Sequence, residues 1–153
     1  MFGKTAAQYV GFQKVVLALI VVIFLLRLML SLAGTPNSVA RWISVTAVLL
    51  AGVLYYGVAV HTSGFGSYKQ LYPLVLFQSL LGEGLLALGV ALAILTGTDN
   101  IYTAPEYSGG GDGKNWGHVL AHLVVAAVIL PLVSWGVSSL VMLVTKKVAP
   151  RPA

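Results

Sequence analysis

Residues 15–34 read VVLALIVVIFLLRLMLSLAG, an apolar run broken by a single charge at Arg27. A helix needs about 20 mostly apolar residues to cross the hydrocarbon core of a bilayer, and this run supplies them. It ends at Gly34-Thr35-Pro36-Asn37, a cluster that stops helices. Three more runs of this kind follow. Residues 41–61 open on Trp42; residues 73–96 open on Pro73, where a missing first-turn N–H costs nothing. Residues 116–144 stop at Lys146-Lys147 and are long enough to tilt or bend, with Pro131 as the cause of a kink. The sequence therefore predicts an all-α integral membrane bundle of four transmembrane helices, a single domain over residues 1–153. Ser31-Leu32-Ala33 imitates a signal-peptide cleavage site, but the apolar run is too long for a signal core and reads as a retained span.

Composition agrees with that reading. The chain is 58% hydrophobic and 8% charged, against roughly 45–50% and about 25% for soluble domains. Too few polar residues remain to coat a water-soluble globule, which excludes a soluble enzyme, a disordered tail and a secreted disulfide scaffold. The absence of cysteine removes thiolate metal sites and cysteine nucleophiles. The net charge of +5 comes from Lys and Arg scattered at helix ends rather than from a basic stripe, so no nucleic-acid partner is expected.

Those charges orient the spans. Four crossings put both termini on one side, with Lys4, Lys14, Lys69, Lys146, Lys147 and Arg151. The other side holds Arg41 and Lys114 with Asp99, Glu106 and Asp112. The positive-inside rule makes the termini cytoplasmic in a plasma membrane, such as a bacterial inner membrane. Tyr9, Tyr68 and Tyr72 fall at one interface, and Trp42, Tyr102 and Trp116 at the other. Residues 97–116 form the one sizeable outer loop, read as a flexible connector. Its Gly-Gly-Gly-Asp-Gly-Lys fails the phosphate-loop pattern, because Ser108 stands at the first required glycine and no Ser or Thr follows Lys114.

Arg27 and Glu83 interrupt apolar runs, and ionisable groups at such depth are costly unless paired or hydrated. At about 1.5 Å per residue, Arg27 lies about 18 Å and Glu83 about 15 Å from the cytoplasmic starts of their spans. An Arg27–Glu83 ion pair is the first expectation, with Gln78 alongside. The alternatives are Arg27 snorkelling to the outer interface, a protonated Glu83, or a proton- or ion-translocating Glu83. Ser79, Gly82, Gly89 and Ala93 share one face of the third span, a stripe that lets helix backbones approach closely. Arg27, Ser31 and Gly34 share a face of the first span, and the simplest assembly docks the two.

His118 and His122 are spaced i, i+4 at the outer end of the fourth span. That spacing can chelate a divalent metal, with Asp112 or Glu106 as an oxygen ligand. The alternatives are interfacial histidines bonded to loop carbonyls, or haem ligation, for which His122 with Met29 is the available pairing. His61 lies across the bilayer from His118 and cannot share a haem with it. The turn at residues 55–69 is rich in hydroxyls, aromatics and glycines; Ser63 near His61 has no orienting acid, so no hydrolase triad is read there.

Function follows only as alternatives. The leading expectation is a non-catalytic subunit or assembly component of a larger membrane complex, its partners the lipid bilayer and other membrane subunits or copies of itself. The second is a homo-oligomeric small transporter or channel using Glu83. The third is a haem- or metal-binding redox protein using His118 and His122.

Overall fold

A computed structural model describes residues 1–108 and 110–149, so the placement of Arg151 lies outside the described residues. Every regular element among them is helical: α1 (Ala6–Leu32), α2 (Asn37–Ala40), α3 (Val45–Thr62), α4 (Tyr68–Thr96), α5 (Trp116–Val124) and α6 (Leu130–Val148). A 3₁₀ turn, Pro105–Tyr107, lies in the long loop, and a π turn, Val125–Ile129, joins α5 to α6. Taken as Ala6–Leu32, Asn37–Thr62, Tyr68–Thr96 and Trp116–Val148, four helices are long and apolar enough to cross a membrane.

Local chemistry sets the boundaries. α1 begins nine residues before the apolar run, because Thr5 and Gln8 form a reciprocal capping box. α4 begins at Tyr68 for the same reason, through Ser67 and Gln70, so Pro73 lies inside the helix rather than in its first turn. Near that proline, the Trp135 indole donates to the Tyr68 carbonyl at 2.8 Å, tying α6 to the start of α4. Residues 41–44 break the second long helix, and the Ser44 side chain caps α3 by accepting from Ala47 N–H. The expected irregularity at Pro131 takes the form of the π turn just before it, where Leu130 N–H reaches back to the Val125 carbonyl. Pro131 has no N–H to give Ala127, and a wider turn absorbs that loss.

α4 is the central helix and touches α1, α3, α5 and α6. The first residues, the α3–α4 turn and the end of α6 meet at one end of the bundle: Gln70 donates to the Phe2 carbonyl, Lys4 sits over Phe65, and His61 Nε2 bonds the Ala149 carbonyl at 2.9 Å. Tyr9, Tyr56, Leu71 and Met142 fill the core there. At the opposite end, Phe24, Leu49, Val90 and Tyr102 form a second cluster. α3 and α6 approach at Gly57, where a Cβ would lie 2.6 Å from Val141 Cβ.

The loop between α4 and α5 is docked, not a free connector. Asn100 through Ala104 are buried. Asn100 Nδ2 donates to the Gly89 carbonyl, Ile101 N–H to Ser31 Oγ, and the Tyr102 hydroxyl to the Phe24 carbonyl. Tyr102 lies against Gly89, in space that a side chain there would fill, and Gly113 abuts the Thr103 backbone. The loop thus runs back down α4 by seven residues from Thr96, about 10 Å, before α5 starts.

Candidate functional site: a carboxylate and an imidazole inside the bundle

The docked loop decides what Glu83 meets. The loop returns to Gly89 before α5 starts, and six residues into α5 His122 meets Glu83, which lies six residues, about 9 Å, before Gly89 on α4. His122 Nδ1 and Glu83 Oε2 are 2.7 Å apart, and only 20% and 11% of the two side chains is exposed. One proton between these atoms gives either an imidazolium–carboxylate pair or a neutral imidazole beside a carboxylic acid.

The expected Arg27–Glu83 ion pair is not made. With α1 starting at Ala6 and α4 at Tyr68, Arg27 lies about 32 Å and Glu83 about 22 Å along their helices, too far out of register to meet. Arg27 instead places its guanidinium 5.4 Å from the ring centroids of both Tyr102 and Tyr107, where the ring faces attract a cation. Burial raises the Tyr102 phenol to about 12, while the Arg27 charge pulls it the other way. Glu106 is held below the ordinary carboxyl value by its own backbone N–H and by the Asn37 amide, which donates at 2.9 Å.

Gln78 does not join Glu83 either. Its amide donates to the Leu49 carbonyl of α3, and its oxygen presses against Gly52, which has no side chain to block it. The small-residue stripe is divided between partners within the chain: Gly82 receives Leu49, Gly89 receives Tyr102, and Ser79 and Ala93 are buried. The direct docking of this stripe onto the Arg27–Ser31–Gly34 face is replaced at Gly89 by the inserted loop.

The two histidines lie on one face, with ring centroids 4.9 Å apart and planes 28° from parallel. His118 Nδ1 donates to the Gly113 carbonyl at 3.0 Å, which leaves its Nε2 to accept. The expected metal set of His118, His122 and Asp112 is not assembled. His122 Nδ1 is engaged by Glu83, Asp112 accepts from Lys114 N–H, and Glu106 is held by Asn37. No group of three potential ligands occurs among the described residues. Haem does not fit between stacked imidazoles, and Met29, 68% exposed, lies on the outward face of α1.

A cavity of about 220 Å³ adjoins the pair. It lies between α3 and α6, with Glu83 of α4 at its back and Thr46, Leu49, Val53, Leu130 and Ser134 among its walls. Glu83 Oε1 has no hydrogen-bond partner among the described residues. The π turn helps to make this arrangement. On an unbroken α-helix His122 and Ser134 would sit roughly 120° apart; a π turn absorbs about one residue, or about 100°, and brings them onto one face. The chemistry available is a carboxylate with one oxygen on a protonatable base, in the wall of a largely apolar space. No family model matches the chain, and neither a curated protein nor a solved structure matches it.

Proposed function

We propose that the chain is a four-span integral membrane protein that exchanges protons through Glu83 and His122 as a small proton-coupled transporter. The observation that carries this reading is the 2.7 Å contact between an imidazole and a buried carboxylate whose second oxygen has no partner among the described residues. An ionisable pair at mid-membrane depth is expensive and marks a proton or ion site by default. His118, partly exposed and stacked on His122, supplies a step towards the loop end. Both termini belong to the cytoplasmic side, since the basic residues of that end outnumber those of the loop end. The loop end then faces outwards. Both members of the pair come from one chain, so the site needs no second copy.

The test is proton movement in vesicles. Purified protein in liposomes with a trapped pH-sensitive dye is expected to dissipate an imposed pH gradient, and Glu83→Gln to abolish this while the bundle stays folded. Wild-type vesicles as tight as empty ones under all driving gradients, including those of candidate solutes, would reject the reading. A second reading, a subunit of a larger membrane complex, draws on the first and fourth long helices. Only 22% of the apolar core of each is buried, leaving wide faces for lipid, for copies or for other subunits. Native mass spectrometry of protein extracted from its own membrane tests it, with a heteromeric mass as the expected outcome of that reading.

A further inference from the structure

We infer that the cavity beside Glu83 binds a lipophilic organic cation, an ammonium on an apolar body, in exchange for the proton shared with His122. The inference rests on the proton-exchange reading above and names the solute that the exchange would carry. Glu83 is 9% exposed and lines the cavity, and its Oε1 has no hydrogen-bond partner among the described residues. Apart from Glu83, the polar groups lining the space are the hydroxyls of Thr46 and Ser134. Two hydroxyls and one carboxylate oxygen are too few to replace the hydration shell of a divalent metal ion, which takes six or more oxygen ligands. An ammonium carrying methyl or aromatic groups needs less, because its body gains from apolar walls while its charge meets the carboxylate.

Charge balance gives the exchange its stoichiometry. Imidazolium with carboxylate is neutral, and so is a bound cation with carboxylate and neutral imidazole. Either state avoids an uncompensated buried charge, whereas cation and imidazolium together leave one excess positive charge. Binding therefore sends the His122 proton out past His118, with no bond to the ligand formed or broken. Among the described residues His122 is the one titratable group that bonds Glu83. α3 and α6 face it with hydroxyls and aliphatic groups, and Arg27 of α1 is held at the tyrosines, farther along the bundle. The cavity mouth lies at Leu50 and Val133, which are 57% and 59% exposed on the outward flank. A ligand would enter sideways from the bilayer, which favours solutes that partition there.

Benzyltrimethylammonium, permanently charged, and neopentylbenzene, its uncharged isostere, separate charge from shape. Calorimetry on the full chain in nanodiscs, repeated in buffers of different ionisation enthalpy, reads affinity and proton release together. The cation is expected to bind at least about tenfold more tightly than the isostere at alkaline pH. Where the pair carries its proton, the cation should release one proton on binding and bind more weakly as protons compete with it. Glu83→Gln should erase the preference for charge, and His122→Phe should retain it while losing proton release. Leu50→Trp, at the lipid-facing mouth and away from the pair, should block binding in a folded bundle. Equal affinity for the two probes, or binding of neither, overturns the inference. Proton flux without cation binding would leave the proton-exchange reading standing and remove this ligand. Cation binding with proton release but no flux would keep the ligand site and remove transport.

Discussion

Tyr102 is the residue on which the loop end depends. Its ring stacks on Phe24 at 5.3 Å, its hydroxyl donates to the Phe24 carbonyl, and its face carries Arg27. The docked phenol keeps its proton to about 12, against an ordinary value of 10.0, because burial disfavours phenolate. The folded value is raised, so the stabilisation is fully present below pH 10 and declines as pH rises towards 12. Alkaline absorbance titration is expected to show one phenol ionising near 12 that Tyr102→Phe removes. Arg27→Met should move that ionisation higher still, since the guanidinium favours phenolate. Loss of the hydroxyl should cost about 1 kcal/mol in thermal unfolding; a Tyr102 titrating at its ordinary value would mean an undocked loop. None of this was legible from Arg27 alone. Sequence marks a costly charge in an apolar run, but its partner depends on where the neighbouring helix begins, and tyrosines in a loop carry no signal of depth.

The elements themselves were more legible than their ends. Apolar length marks four long helices because nothing else hides so much aliphatic surface, whereas capping pairs such as Thr5–Gln8 and Ser67–Gln70 move helix starts into polar sequence. Those shifts misaligned Arg27 with Glu83 and concealed the match of Glu83 to His122. The signal that could have found the match was chain order: the third and fourth runs are sequential, and consecutive helices usually lie side by side. Pro131 predicted a disturbance, but not that a π turn would turn His122 and Ser134 to one face. Pro131→Ala, which supplies the N–H that Ala127 lacks, should turn the π turn into an α-helical path with no residue lost and rotate α5 against α6 by about 100°. The helix content seen by circular dichroism should persist while the Glu83–His122 bond is lost. The His122 ring resonances then become insensitive to Glu83→Gln, which shifts them in the parent protein. Continued sensitivity in the Pro131→Ala variant would show that the turn does not set the geometry.

At the scale of the whole molecule, the bundle has two chemically different ends, and that difference is a statement about a membrane. Lys4, Lys69, Lys146 and Lys147 gather at the end that holds the first residues and the end of α6, whereas Asp99, Glu106 and Asp112 accompany Arg41 and Lys114 at the loop end. If four helices cross the bilayer, the two ends lie in different compartments, and the positive-inside rule puts the basic end in the cytoplasm as an expectation that labelling can test. On the proposed proton path, the side that His118 would serve follows from the same assignment. The chain has no cysteine, so single replacements report without background. Ser63→Cys in the α3–α4 turn, Lys147→Cys near the end of α6 and Gly111→Cys in the loop are all at exposed positions. Gly111 has no atom within 4 Å of an added Cβ. With a membrane-impermeant maleimide on intact cells, Gly111→Cys should label at once, and the other two only after permeabilisation. The reverse pattern would invert the orientation and move the histidine end of the proton path to the cytoplasm. Labelling of Gly111→Cys and Lys147→Cys from one side would remove a crossing and leave Glu83 and His122 at no common depth, undoing the proton-exchange reading along with the topology.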